Sequence, residues 1–147
     1  MAIKKKPKEK SKAQIFLERV ELIDAIVPNK LIEQKQWREL AQSITANMEG
    51  EKVQSSGSQS KLADAVARCV DMEGEILAAV EKLIAEKGKV IATMEKLDNP
   101  MEYKILHMRY IQYIELCDIA DMLRMEYTNV TTIHGRACKH IQVIMDK

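Results

Sequence analysis

The sequence predicts an all-α protein, and three features of its composition support this. Residues that favour helices, namely Ala, Leu, Ile, Met, Glu and Lys, dominate the chain of 147 residues. Aromatic residues amount to 4%, and there are five Gly and three Pro. A β-sandwich or barrel needs aromatic strand residues and many turns, so these shortages argue against one. With 46% hydrophobic and 31% charged residues, the chain is also neither disordered nor a membrane protein.

The N-terminal segment, residues 1–12, is predicted to be a disordered basic arm. It holds six Lys and one Glu, whereas residues 13–99 carry eleven basic and fifteen acidic groups and residues 100–147 carry six of each. Such an arm is typical either of a protein with an anionic partner or of a solvated tail. No apolar run approaches the ~18 residues that a membrane span needs, and no hydrophobic signal region follows the first lysines.

Residues 13–97 are predicted to form a long antiparallel helical hairpin. Pro28 interrupts the first helix, 13–48, which predicts either one kinked helix or two abutting ones. A polar linker rich in Gly and Ser, 49–60, follows, and Ser60 is the predicted N-cap of the second helix. Because the two helices are nearly equal in length, they are expected to fold back on each other.

The second helix, 61–97, has a heptad pattern typical of a coiled coil. Of eleven positions that step alternately by four and three, nine are apolar. The predicted seam consists of Leu62, Val66, Cys69, Glu73, Ile76, Val80, Leu83, Lys87, Val90, Met94 and Leu97. A two-helix hairpin cannot bury both apolar faces fully, so the pattern predicts that a third helix or a second subunit, as in a homo-oligomer, packs against it.

Residues 98–147 are predicted to form a small three-helix domain. Its start is marked by Asn99 as N-cap, Pro100 at the first helical position and Glu102 closing a capping box. The three helices are expected at about 100–112, 115–124 and 127–145.

The last two of these helices have the spacing of a helix-turn-helix. Ala120 is small where the second helix crosses, and Leu123, Val130 and Ile133 fill the space between the helices. Ordinary three-helix bundles also show this spacing. The side chains left outward on helix 127–145 are short and polar, which suits base edges in a major groove, or basic, which suits phosphates. The predicted DNA-binding residues are Tyr127, Thr128, Asn129, Thr131, Thr132, Arg136 and Lys139.

The same stretch resembles region 4 of bacterial sigma factors, which reads the −35 promoter element with its second helix. The segments 105–110, 118–123 and 130–137 carry the resemblance, which runs without gaps from Ile119 to Ile141. Position for position, it implies DNA contacts by Tyr127, Thr128, Asn129, Thr131 and Thr132.

Two positions depart from the sigma pattern. This chain has Arg124 where sigma factors often carry Gly or Asp at the corner, and Glu126 where they carry Ser or Thr. A carboxylate near phosphates is repulsive, and the clear cations of the last helix are Arg136 and Lys139. Weak DNA binding by the isolated domain is therefore expected, because phosphate contacts supply most of the non-specific affinity.

The wider chain, over about 13–145, is similar to small phage and prophage helix-turn-helix proteins related to late-transcription regulators of the ArpU/RinA type. The hairpin and the segments 53–57, 97–100 and 109–111 carry this resemblance. It implies a regulator in the cytoplasm of a bacterial host that binds double-stranded promoter or operator DNA. The hairpin would contact RNA polymerase or mediate self-association. The alternative is a structural role in phage DNA packaging, such as a terminase small subunit that oligomerises through the hairpin.

No catalytic, cofactor or metal site is predicted. His134 and Cys138 lie four residues apart on one helix, but no second pair of ligands stands nearby, so packing is expected for both. The three cysteines, which include Cys69 and Cys117, are odd in number and far apart, as is typical of reduced thiols. No Gly-rich phosphate loop or Ser-His-Asp arrangement appears, and a protein without enzymatic activity is expected.

Overall fold

The computed structural model describes residues 8–50 and 56–147, and these residues contain helices and no strand. The all-α prediction is therefore confirmed. The helices are α1 (Lys12–Gly50), α2 (Ser56–Met94), α3 (Pro100–Tyr110), α4 (Leu116–Leu123) and α5 (Tyr127–Met145). None of the helices in these two ranges is long and apolar enough to cross a membrane.

Helices α1 and α2 form the predicted antiparallel hairpin, and each has 39 residues. Lys30 Nζ on α1 lies 3.2 Å from Glu75 Oε2 on α2, and Gln34 Nε2 donates to the Cys69 carbonyl at 3.4 Å. The partner's number falls along α2 as the residue number rises along α1. The two helices therefore run in opposite directions.

The structure decides between the two alternatives for the first helix and changes two other predictions about the hairpin. Of the two alternatives predicted at Pro28, the structure shows a single helix, and the proline ring lies at an exposed position. Both ends of the predicted linker 49–60 are helical, because α1 extends to Gly50 and α2 begins at Ser56. Ser60 therefore lies inside α2, and its prediction as an N-cap is wrong. Polar and Gly residues have only a weak preference against helix, which packing overrides. The middle of the linker, 51–55, lies outside the described residues.

The predicted basic arm falls only partly within the described residues. Residues 1–7 lie outside them, and Lys12 already begins α1. Lys10 Nζ lies 2.7 Å from Glu18 Oε2, so this lysine pairs with an acidic side chain of the same helix region.

The predicted seam is displaced by one residue at two positions of α2. Val66 and Glu73 are exposed, whereas the preceding residues Ala65 and Met72 are buried. Apolar residues cover more of the circumference of α2 than one contact line needs, so the heptad count by itself did not select the buried line.

Two compact groups of residues make up the described chain. The first contains the residues up to Leu22 together with Ile84–Lys147, and the second is Ile23–Leu83. In the first group, the start of α1, the end of α2 and the three short helices share one core. Its fully buried side chains include Ala13, Leu17, Val20, Val90, Met94, Ile105, Leu106, Ile119, Val130, Ala137 and Ile141.

The second group is a helical hairpin with few buried apolar side chains. Ile23, Ala65 and Met72 are buried among its described residues, together with the polar Gln34. One flank carries a network of charges in which Arg68 lies 3.2 Å from Glu33 and 3.0 Å from Glu75.

Candidate nucleic-acid interface

The start of α3 is fixed by the residues that the sequence marked. The side chain of Asn99 accepts hydrogen bonds from the backbone N–H groups of Met101, at 2.9 Å, and Glu102, at 3.4 Å. Pro100 occupies the first turn, where its missing N–H leaves no donor unpaired. The predicted N-cap is confirmed, and it sets where α3 enters the core.

Glu102 does not close a capping box, and this part of the prediction is wrong. Its side chain is only 1% exposed and points to α5 instead of back to the N-cap. Glu102 Oε1 accepts from Arg136 Nε at 2.8 Å, and Oε2 lies 2.7 Å from His140 Nδ1. A single capping hydrogen bond stabilises the fold less than two charge-assisted hydrogen bonds do in a site shielded from water.

The turn between α4 and α5 is a tight corner held by backbone bonds. Arg124 adopts the left-handed conformation, with φ 53 and ψ 45 degrees, and its N–H donates to Asp121 O at 3.2 Å. The N–H of Met125 donates to Ala120 O at 2.9 Å. The chain therefore reverses within three residues and begins α5 at Tyr127.

Helices α3, α4 and α5 pack around one apolar cluster, which holds the corner in place. The predicted Ala120, Val130 and Ile133 are buried in it, and Leu123 packs at its edge. The buried members are Ile105, Met108, Ile119, Ala120, Val130 and Ile133. These contacts give the helix-turn-helix that the spacing predicts, and Thr128, Thr132, Gly135 and Lys139 on the opposite side of α5 are exposed.

The predicted DNA-binding residues lie on three different stripes of α5. Positions that differ by three or four share a stripe because the helix has 3.6 residues per turn. Thr128, Thr132 and Lys139 form an exposed stripe with the small Gly135 between them. We call this set the outward stripe.

The hydroxyl group of Thr132 in the outward stripe, and that of the neighbouring Thr131, each use their hydrogen as a donor within the helix. Thr131 Oγ1 and Thr132 Oγ1 both donate to the Thr128 carbonyl, at 2.9 and 2.8 Å. Each hydroxyl keeps its acceptor lone pairs, and the Thr132 side chain remains exposed. Thr132 can therefore accept a bond from an exocyclic amine of a base or pack its methyl group on a thymine methyl.

A second stripe of α5 carries Tyr127 and Thr131 and continues into buried groups. His134 and Cys138 follow on this stripe, and Tyr110 Oη lies 2.7 Å from His134 Nε2. Tyr127 lines a cleft of about 260 Å³ together with Cys117 and His134. The tyrosine is exposed but points to a different side from the outward stripe, and Thr131 is only partly exposed.

The groups behind Tyr127 are uncharged near neutral pH. Burial, aided by the positive charge of Arg109, lowers the pKa of the His134 imidazole below 6.5. Burial raises the pKa of the Cys138 thiol to about 11 and also raises that of the Tyr110 hydroxyl. Both His134 and Cys138 are packing residues, and no group of three or more His, Cys, Asp or Glu within 8–50 and 56–147 could hold a metal ion.

The third stripe brings Asn129 and Arg136 to the side of α5 that faces Glu102. The ion pair between Arg136 Nε and the buried Glu102 carboxylate fixes the Nε end of the Arg136 guanidinium. The Arg136 side chain as a whole is 49% exposed. Burial tends to raise the pKa of Glu102, but the hydrogen bonds from His140 and Arg136 outweigh it and hold the pKa below its usual value. Asn129 is exposed.

Sequence reasoning missed the ion pair between Glu102 and Arg136, one of the predicted DNA-binding residues. It assigned the residue to a local cap, because a Glu three residues after an Asn cap is a common signature. Its partners are 34 and 38 residues away, and no local signal points to them.

Acidic residues are exposed on α4 and at the start of α5. Glu126 is the N-cap residue of α5 and makes no side-chain capping bond, and Asp118 and Asp121 on α4 are exposed. Arg124, at the corner, adds an exposed cation. The surface around the stripe has no strong positive excess, so its electrostatic attraction to DNA is small.

Comparison with known protein families gives a match over most of the chain. A family model described as a protein of unknown function, DUF1492, matches residues 42–142. No curated protein and no solved structure matches the chain.

Proposed function

The chain belongs to the DUF1492 family, proteins of unknown function, and we propose that it binds double-stranded DNA through α5 as a transcription regulator of the phage type. The observation that supports this most directly is the outward stripe. It lies on the second helix of a helix-turn-helix, opposite the cluster that packs against α3 and α4. A helix in this setting can enter a major groove with one side while its other side holds the domain together.

The composition of the outward stripe suits base reading. Thr128 and Thr132 are short, exposed and able to accept hydrogen bonds, and Gly135 lets the helix approach a base edge closely. Asn129 is exposed one position further round the helix, and an amide can pair with both hydrogen-bonding atoms of an adenine edge. These residues would carry sequence discrimination.

The basic residues of α5 have a different role in the proposal. Lys139 lies one turn beyond Gly135 on the outward stripe, where a flexible ammonium can reach a phosphate. Arg136 is held by Glu102 and presents a half-exposed guanidinium in a fixed direction. Both contacts would position α5 without reading sequence, and Tyr127 and Thr131 would border the groove.

The first prediction tests base reading by α5. A duplex is selected from a random-sequence library with the full-length protein, and binding to it is compared with binding to a scrambled duplex. Thr132→Ala and Asn129→Ala should each reduce the preference for the selected duplex by about 1–3 kcal/mol per lost base contact. Affinity for the scrambled duplex should hardly change.

The matched controls are Thr45→Ala and Asn29→Ala. Thr45 is also exposed on a helix, and its hydroxyl donates to the Ala41 carbonyl at 2.9 Å just as that of Thr132 donates to Thr128. Both controls should keep the full preference. The proposed function would be contradicted if the selection enriched no sequence. It would also be contradicted if the Thr132 and Asn129 variants preferred the selected duplex over the scrambled one as strongly as wild type does.

A further inference from the structure

The compact group Ile23–Leu83 leaves much of its apolar surface uncovered. Of the side chains that the structure describes in this group, the buried apolar ones are Ile23, Ala65 and Met72, whereas Leu31 is 49% exposed and Leu77 is 60% exposed. A unit of this size normally encloses more apolar surface to offset the entropy lost on folding. A second layer of helices would supply the missing cover.

The uncovered surface includes a groove along one flank of the hairpin. The groove has a volume of about 450 Å³, and Val66, Cys69 and Val70 line it from α2. Val70 is 61% exposed, and Leu77 lies two turns further along the same side of α2. The groove therefore has an apolar floor formed by α2.

The charges at the groove differ from those on the opposite flank. On the opposite flank, the charged side chains form ion pairs within the hairpin; they are Lys30, Glu33, Arg68 and Glu75. In the part of the chain that the structure describes, the charged side chains that line the groove are Arg38, Glu49 and Glu73. Among the described residues, neither Arg38 nor Glu73 has an ion-pair partner.

Arg38 and Glu73 lie at different heights of the hairpin. Gln34 is level with Cys69 through their hydrogen bond, so Arg38, one turn further along α1, is level with about residue 65 of α2. Glu73 is two turns from that level, or about 12 Å at a rise of ~1.5 Å per residue. A twofold axis that crosses the groove near Val70 would exchange these two heights.

We infer that the groove binds a second copy of this chain, antiparallel and related by such an axis. Arg38 of each copy pairs with Glu73 of the other, and the stripe of Val66, Val70 and Leu77 is covered by its own counterpart. An isologous contact needs a surface that is complementary to itself, and one cation and one anion at heights exchanged by the axis meet this condition. The result is a four-helix arrangement that closes at two copies.

Charge exchange at this pair tests the inference. The full-length wild-type protein should sediment as a dimer. Arg38→Glu and Glu73→Arg each replace two attractive contacts per dimer by two repulsive ones, and each should raise the dimer dissociation constant about tenfold or more. The double variant restores opposite charges and should return to within about threefold of wild type.

Mixing the two single variants gives a second measurement. An Arg38→Glu copy and a Glu73→Arg copy have opposite charges at both contacts of a mixed dimer, whereas each variant repels itself. Equimolar mixing should therefore form dimers as tightly as wild type does, within about threefold. Circular dichroism checks that the variants stay helical, which is expected because neither side chain has a partner within the described hairpin.

Hydrophobic variants supply the matched control. Val70→Asp should abolish the dimer, whereas Ile32→Asp, at a residue of similar exposure that does not line the groove, should leave it intact. A wild-type monomer, or a larger ring-sized assembly, would overturn the inference. So would single variants that dimerise normally, a double variant or mixture without recovery, or dissociation by Ile32→Asp.

Discussion

Glu102 keeps a negative charge in a place that water scarcely reaches. A buried carboxylate is costly unless its lone pairs are satisfied, and here Arg136 and His140 each bind one of its oxygens. Both partners belong to α5, whereas Glu102 belongs to α3. The residue therefore fixes the rotation of α5 against α3 and, with it, the direction of the outward stripe.

Glu102→Gln should destabilise the protein in a pH-dependent way. Because the folded-state pKa of Glu102 lies below its ordinary value of 4.5, the charged carboxylate stabilises the fold fully above about pH 4.5. That contribution is lost as the pH falls through the lowered pKa. At pH 7 the variant should lose about 1–3 kcal/mol in urea unfolding, and the difference from wild type should shrink below about pH 4.5.

Glu95→Gln is the control for this titration. Glu95 is an exposed carboxylate in the same compact group, so its loss should change the free energy of unfolding by less than about 0.5 kcal/mol at either pH. Glu102→Gln and wild type could instead differ in free energy of unfolding by the same amount from pH 7 to pH 3. That result would rule out the charged carboxylate as the stabilising species.

At the scale of the element, the corner between α4 and α5 is strained at one residue. Arg124 holds a left-handed conformation that costs a residue with a Cβ atom about 1–2 kcal/mol, and Gly adopts it without this cost. Arg124→Gly should therefore raise the free energy of unfolding by about 0.5–1 kcal/mol, because Gly also loses more entropy on folding. Thermal denaturation followed by circular dichroism measures the gain.

Arg124→Ala separates backbone strain from the loss of the charge. Alanine removes the cation but keeps a Cβ atom in the left-handed conformation, so it should not stabilise the protein. If Ala stabilised the corner as much as Gly did, repulsion or packing of the Arg124 side chain, rather than its backbone, would be the source of the strain.

At the scale of the whole molecule, one core joins the chain's two ends. The first turns of α1 belong to the same compact group as α3, α4 and α5, and the N–H of Ala13 donates to Gln142 Oε1 of α5 at 3.0 Å. The core that supports the helix-turn-helix therefore includes residues outside 98–147. Part of its supporting surface comes from the start of α1 and the end of α2.

A pair of leucines on α1 tests this shared core. Leu17 is fully buried and Leu22 is 69% exposed, although both lie in the same compact group. Leu17→Ala should cost about 2–5 kcal/mol in chemical unfolding, and Leu22→Ala less than about 0.5 kcal/mol. Equal effects of the two changes would mean that the start of α1 does not contribute to the core.

The sequence by itself determined the features that depend on neighbouring residues. The helical composition, the cap at Asn99 and the positions of the last three helices to within two residues follow from local preference, capping and periodicity, which act within one or two turns. The apolar spacing of the corner likewise identified Val130 and Ile133 as core residues, since burial on one side of a helix repeats along the chain.

Only the tertiary structure decided which of several locally acceptable arrangements forms. The apolar residues of α2 permit two contact lines, and packing against α1 selected Ala65 and Met72 over Val66 and Glu73. Glu102 has a plausible local cap and two distant partners, and the distant pair wins because charge-assisted bonds are stronger where water is excluded. The division of the predicted site residues among three stripes of α5 follows from the helical period alone. Which side of α5 is buried, and which is left exposed, is decided by its contacts with α3 and α4.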